Sequence, residues 1–298
     1  MARRGCLPLL VSAVLALLWV SETTRAPTLR IEEYDPRSPR RPLPQWSDEA
    51  FVIEDRPGGP ADSMGTTFAV DRQGTWLTAG HVTHDCARVG IEEGGVAREV
   101  FHVVASREAD AALVRGGMPS GQSLPLSDAM PPPGSVGYHM GFPGGQPTLV
   151  ISELIGAARA RRGRTEGGRA EGARSEAGQV EESQPVLAWA ERTRIPVGDG
   201  TLSGISGGPV FAEDGHVVGV NSAATDRRGR ILTVPPDAMS RLVMASRAVS
   251  DRPVAYPFID PGEALARFQS WLAQGVIRRI FCDVDDHAGQ LTGGRPKR

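Results

Sequence analysis

The residues in this chain whose types and spacing could do chemistry are a serine set among glycines, a histidine after small residues, and an aspartate that opens an apolar run. From Gly200 to Phe211 the chain reads Gly-Thr-Leu-Ser-Gly-Ile-Ser-Gly-Gly-Pro-Val-Phe. Glycines on both sides of Ser206 let the backbone turn tightly and let a substrate come close to main-chain amides, as a nucleophile requires. A serine hydroxyl attacks poorly at neutral pH unless a base takes its proton. Upstream, Leu77-Thr78-Ala79-Gly80-His81-Val82 supplies an imidazole. Between the two, Ala109-Asp110-Ala111-Ala112-Leu113-Val114 puts a carboxylate at the mouth of a strand. There it can accept the inward N–H of the imidazole, fix its tautomer and stabilise the imidazolium that forms during attack. The three groups run in the order His, Asp, Ser, and together they support acyl transfer.

In that order, the blocks Thr-Ala-Gly-His81-Val, Asp110-Ala-Ala-Leu and Gly204-Ile-Ser206-Gly-Gly-Pro resemble the trypsin-like, chymotrypsin-fold serine peptidases. Within these they look most like the compact bacterial HtrA-like branch. The resemblance covers roughly residues 60 to 245. It implies an all-β fold of two six-stranded antiparallel barrels with the site between them and helices at the C-terminus. It also implies a serine endopeptidase working through an acyl-enzyme, with Ser206 attacking, His81 shuttling the proton and Asp110 orienting it. The backbone N–H groups of Gly204 and Ser206 would then form the oxyanion hole. His84, Ser203, Glu108 and Asp128 are the nearby rivals of the same types, but the family pattern falls on none of them.

Two positions depart from the digestive trypsins. Ile205 precedes the nucleophile where those enzymes carry an aspartate that pairs with a newly cut N-terminus, so activation by that ion pair is not expected. Gly200 stands where an aspartate would select basic side chains. With Ala223 and Ala224 at the end of a neighbouring strand, Gly200 and Ala223 predict an apolar substrate pocket for small or aliphatic residues. Two readings from other classes compete. A binding or sensor protein on the same fold would keep the motifs without turnover. An esterase is suggested by Gly204-x-Ser206-x-Gly208, but the proline and β-prone residues after Ser206 oppose the helix that such an elbow needs.

The elements that must hold these groups can be read from the pattern of short apolar runs and turns. Phe51-Val52-Ile53 starts the ordered region of a domain over 49–248. Gly65 to Val70, a turn Asp71 to Gly74, and Thr75 to Thr78 predict a hairpin whose second strand ends at His81. Val136 to Tyr138 and Thr148 to Ser152 fit the start of the second barrel. Residues 158–184, rich in Ala, Gly, Arg and Glu and including Arg161, Arg162 and Arg164, read as a disordered inserted loop, because so few apolar side chains cannot offset ordering entropy. Asp237 to Arg247 has helical spacing at Met239, Leu242 and Val243. Within a C-terminal extension, 249–298, one more helix is signalled by Asp260, Pro261 and Glu263, with Leu265, Phe268 and Leu272 on one face and an end at Gly275. Roughly fifty residues after the closing helix are too few for a PDZ module.

The remaining features limit partners and compartment. Arg3 and Arg4 precede an uncharged apolar run, Leu7 to Val20, so residues 1–25 read as a signal peptide or an N-terminal membrane anchor, with the rest of the chain periplasmic or extracellular. Residues 26–48, rich in proline and arginine, read as a linker. A net charge of -2, and arginines interspersed with glutamates, give no footprint for nucleic acid. His102, His139, His216 and His287 read as surface or packing residues, no metal-ligand spacing occurs, and neither metal nor organic cofactor is called for. Protein or peptide substrates are the expected partners. Cys6 lies in the targeting segment, which leaves Cys86 and Cys282 able to pair in an oxidising compartment.

Overall fold

The computed structural model describes residues 51–54, 63–116, 119–163, 183–198, 200–225, 229–246, 251, 253–258 and 260–284. The predicted signal or anchor (1–25), the linker (26–48) and the middle of the predicted inserted loop lie outside them. Two closed six-stranded antiparallel barrels make up the fold, as expected from the motifs.

The first barrel starts from the predicted hairpin. Strand β2 (Ser63–Ala69) pairs with β3 (Thr75–Thr78). The turn between them is held by the Asp71 carboxylate, which accepts the N–H groups of Gln73 and Thr75 at 2.9 and 2.8 Å, and by Gly74 at φ 97°. Strands β4 (Arg88–Glu93), β5 (Val96–Ala105) and β6 (Ala112–Gly116) continue the wall. The barrel is closed by β13 (Ile277–Asp283), which lies between β2 and β4 in the order β13-β2-β3-β6-β5-β4. Phe68, Trp76, Leu77, Leu113 and Ile280 are buried.

This last strand corrects the reading of 249–298 as an extension carrying one helix. Residues 277–283 are part of the first barrel, in register Ile277 with Phe68 and Cys282 with Ser63. Adjacent Arg278 and Arg279 interrupt the apolar alternation and so mask the strand. Their charges are met by groups remote in sequence: Arg279 holds both Glu92 oxygens, and Arg278 lies over the Trp76 ring.

The second barrel consists of β7 (Val136–Gly141), β8 (Thr148–Gly163), β9 (Ser183–Ile195), β10 (Pro209–Phe211), β11 (Val217–Thr225) and β12 (Arg230–Val234). Pairing of β8 with β9 closes the ring β8-β7-β10-β11-β12-β9, and β1 (Phe51–Glu54) adds to β8 in parallel. Residues 158–163 and 183–184, expected in a disordered loop, are strand: Ala158 pairs with Val186 and Arg161 with Ser183. Long-range pairing supplies the backbone bonds that composition alone cannot forecast.

Helix α1 (Pro236–Ala245) and helix α2 (Pro261–Ala273) follow. Asp260 caps α2 by accepting the Glu263 N–H at 2.9 Å, and Gly275 at φ 66° ends it. Trp271 of α2 stacks on Phe211 of β10 with ring centroids 4.8 Å apart. The C-terminal segment thus packs on the second barrel through α2 and enters the first through β13. Cys86 and Cys282 are disulfide-bonded, joining the loop after His81 to that closing strand.

Candidate active site

The site is built from two short turns of the first barrel and one of the second. After β3 the chain makes a single 3-10 turn, Gly80–Val82, which presents His81 at the surface while Val82 is buried beneath it. A Cβ on Gly80 would come within 3.1 Å of Asp110 Oδ1, a tight contact, so a residue without a side chain lets the histidine turn lie close to the aspartate. Asp110 sits just ahead of β6 and is buried. Its Oδ1 accepts the His81 backbone N–H at 2.8 Å and its Oδ2 accepts His81 Nδ1–H at 2.7 Å. With Nδ1–H committed to a carboxylate, the neutral ring keeps Nε2 as its proton acceptor.

Burial by itself would raise the Asp110 pKa. The neighbouring His81 charge, together with hydrogen bonds from His81 and Ser222, outweighs it and holds the carboxyl below the usual carboxylate range. The site therefore contains a fixed anion facing an oriented imidazole.

Ser206 lies on the turn between β9 and β10. Gly204 takes φ 103°, a conformation open to glycine, and a Cβ there would meet the Phe142 carbonyl oxygen at 2.5 Å. Gly207, at φ 88°, leaves still less room: a Cβ would lie 2.0 Å from the Thr66 carbonyl oxygen. Ser206 Oγ–H donates to the Ser222 carbonyl oxygen at 3.3 Å, and no hydrogen bond from Ser206 to His81 occurs among the described residues. In resting enzymes such bonds are commonly loose and tighten with substrate. The Gly204 and Ser206 N–H groups have no acceptor among the described residues.

Ser222, which sequence reasoning missed, joins the parts. Its Oγ–H donates to Asp110 Oδ2 at 2.6 Å while its carbonyl accepts Ser206 Oγ–H. The serine at the head of Ser222-Ala223-Ala224 was the available signal, but it becomes visible only when β11 is laid beside Asp110. His139, read as surface or packing, is a packing residue: it is fully buried in the second barrel, with Nδ1 2.6 Å from Asn221 Oδ1 and Nε2 2.6 Å from Ser152 Oγ. Burial pushes its pKa down to about 4, partly opposed by the bond to Asn221.

The structure brings His81, Asp110, Ser206 and Gly204 to one place. Ala223 is half-buried on β11, opposite Leu232. Ala224 packs on the cluster that contains Leu202, Ile205 and Ile231. Gly200 is exposed, its carbonyl taken by Arg194, and a Cβ there would enter open space. Of the rivals, His84 is exposed beside Asp85, Glu108 pairs with Arg241 and Asp128 accepts Ser240 Oγ–H. Strand β10 follows Ser206, so the strand-turn-helix of an esterase elbow is not formed. Among the described residues no cluster of His, Cys, Asp or Glu could hold a metal ion.

The trypsin-like peptidase domain matches residues 65–220, more than half of the 298-residue chain. No curated protein matches the sequence. Among solved structures, the active form of the Rv3671c protease from M. tuberculosis is similar at 18% identity and TM-score 0.49, covering 72% of this chain and 96% of that one. The HtrA-type protease AlgW with decapeptide is similar at 19% identity and TM-score 0.44, covering 62% of this chain and 52% of that one. The serine endoprotease from Yersinia pestis is similar at 19% identity and TM-score 0.40, covering 62% and 57% respectively. With a family match spanning both the histidine and the serine turns, the chain belongs to the trypsin-like peptidase domain family and is a serine-type endopeptidase.

Proposed function

We propose that the chain cleaves peptide bonds through an acyl-enzyme in which Ser206, His81 and Asp110 act as nucleophile, general base and orienting acid. Asp110 carries this reading: a single buried carboxylate accepts the His81 ring N–H and, through Ser222, connects to the Ser206 hydroxyl. Rotation of the Ser206 side chain from the Ser222 carbonyl toward His81 Nε2 readies the nucleophile. Ser206 Oγ bonds to the substrate carbonyl carbon and its proton passes to Nε2, while the oxygen that becomes negative accepts the N–H groups of Gly204 and Ser206. The C–N bond then breaks and the departing amine takes the proton from His81. Water, giving a proton to the same nitrogen, attacks the ester carbon; the C–Oγ bond breaks, Ser206 Oγ takes that proton back from His81, and the acid product leaves. Each such oxyanion donor is worth about 2.7–4 kcal/mol of barrier.

Ala223, Ala224 and uncharged Gly200 support a preference for small or aliphatic residues at the cut site. The N-terminal segment 1–25 supports export, with action on periplasmic or extracellular proteins and attachment to the membrane if the segment is retained. A binding or sensor role is the competing reading, favoured by the Ser206 hydroxyl resting on Ser222 and not on His81.

A fluorophosphonate probe separates the two. Labelling of the wild type that disappears in Ser206→Ala and His81→Ala supports the peptidase, and an unlabelled wild type supports the sensor. New N-termini generated from a proteome then test the pocket; cleavage mainly after Arg or Lys would overturn the apolar assignment.

A further inference from the structure

Three polar groups of one buried residue make four hydrogen bonds, two of them to the catalytic turn. Thr66 of β2 is fully buried. Its N–H donates to the Ser206 carbonyl oxygen at 2.8 Å, and its own carbonyl accepts Thr78 Oγ–H at 2.8 Å, just ahead of the turn that carries His81. Its Oγ–H donates to the Gly204 carbonyl at 2.8 Å, and the same oxygen accepts the Phe142 N–H at 3.1 Å. The directions are fixed, since a carbonyl only accepts and an amide N–H only donates.

A trans peptide points its N–H and C=O to opposite sides, so holding one end aims the other. Along the turn, the Ser203 carbonyl is held by the Gly144 N–H at 2.8 Å and the Ile205 carbonyl by the Gly208 N–H at 2.9 Å. Thr66 holds the carbonyls of Gly204 and Ser206. Gly144 itself sits on the short segment that begins at Phe142, which the Thr66 oxygen anchors. The Gly204 N–H is the other end of the Ser203 peptide and the Ser206 N–H the other end of the Ile205 peptide, so the Gly144 and Gly208 contacts aim these two donors, and Thr66 fixes the Gly204–Ile205 peptide that joins them. Ile205, buried in apolar surroundings, brings no charge to the turn. The backbone passes close to the hydroxyl: a Cβ on Gly141 would lie 2.7 Å from Thr66 Oγ.

We propose that the Thr66 hydroxyl is a positioning residue that sets the Gly204–Ile205 peptide and the Phe142 segment together, and so keeps the Gly204 and Ser206 N–H donors aimed at the oxyanion. This rests on the peptidase reading above. The test is saturation kinetics of fluorophosphonate labelling on the full chain, with Ser206→Ala as the control. Thr66→Val keeps the volume and removes the hydroxyl; it lowers the maximal labelling rate roughly ten- to hundred-fold and changes the half-saturating probe concentration less than about threefold. Thr66→Ser keeps the hydroxyl and recovers the wild-type rate to within about threefold. If Thr66→Val is insoluble, Thr66→Ala is read in its place. A variant without the hydroxyl that labels at the wild-type maximal rate overturns the proposal and leaves the peptidase reading standing, and so does a Thr66→Ser as slow as Thr66→Val. A wild type that is not labelled at all removes the peptidase reading, and the proposal with it.

Discussion

At the scale of the residue, two buried titratable groups play opposite parts. Asp110 is stabilised as an anion by His81 and Ser222 in spite of its burial. In Asp110→Asn the imidazole loses the acceptor that fixes its tautomer, and the rate of peptide cleavage or probe labelling falls about 10³- to 10⁴-fold with the fold retained. Because the folded carboxyl is held below its ordinary 3.8, its contribution to stability is complete above that value and is lost only as pH falls further. His139 acts in a different window. The unfolded chain binds a proton below 6.5, but the buried ring does so only near 4, so stability is lost as pH falls from 6.5 to 4. The loss is on the order of 3 kcal/mol. Thermal unfolding followed across that range shows a falling Tm, and His139→Gln flattens the dependence; an unchanged slope in the variant would assign the acid sensitivity to other groups.

At the scale of the element, the turn between β9 and β10 works because it has no side chains where it passes Phe142 and Thr66. Gly204→Ala puts a methyl into the Phe142 carbonyl oxygen at a φ of 103°. The turn must move, and kcat falls about 10²- to 10³-fold, as for the loss of an oxyanion donor. KM and secondary structure by circular dichroism change little. The hairpin β2–β3 shows the same dependence on local chemistry: Asp71 and Gly74 make the turn, and the strand it returns delivers His81.

At the scale of the whole molecule, the C-terminal segment is structural. Strand β13 fills the gap between β2 and β4, and α2 ahead of it lays Trp271 on the second barrel. A chain ending after Ser246 leaves the first barrel open, with the edges of β2 and β4 unpaired. Such a truncation is expected in the insoluble fraction and unlabelled by the probe; a soluble, labelled fragment would show that β13 is dispensable. The disulfide adds a covalent tie across 196 residues of sequence. Cys282→Ser is expected to lose about 2–5 kcal/mol of stability, measured by denaturant unfolding under oxidising conditions, because so long a closed loop constrains the unfolded chain strongly.

The sequence by itself determined the fold class and the family. Glycines about Ser206, small residues before His81 and the apolar run after Asp110 are local requirements of turns and strands, so they are written in adjacent positions. The hairpin at 71–74, helix α1 and the Asp260 cap were legible for the same reason. Tertiary structure alone decided what depends on distant partners. Ser222, Thr66 and His139 are ordinary residues until β11, β2 and β7 bring them beside Asp110, Gly204 and Asn221. Strand β13 is hidden by two arginines whose carboxylate partner lies on β4, and the ends of β8 and β9 looked like loop because only their mutual hydrogen bonds order them. Short-range patterns record how the backbone turns, while the closure of a barrel and the aim of its donors arise from contacts between segments far apart in the chain.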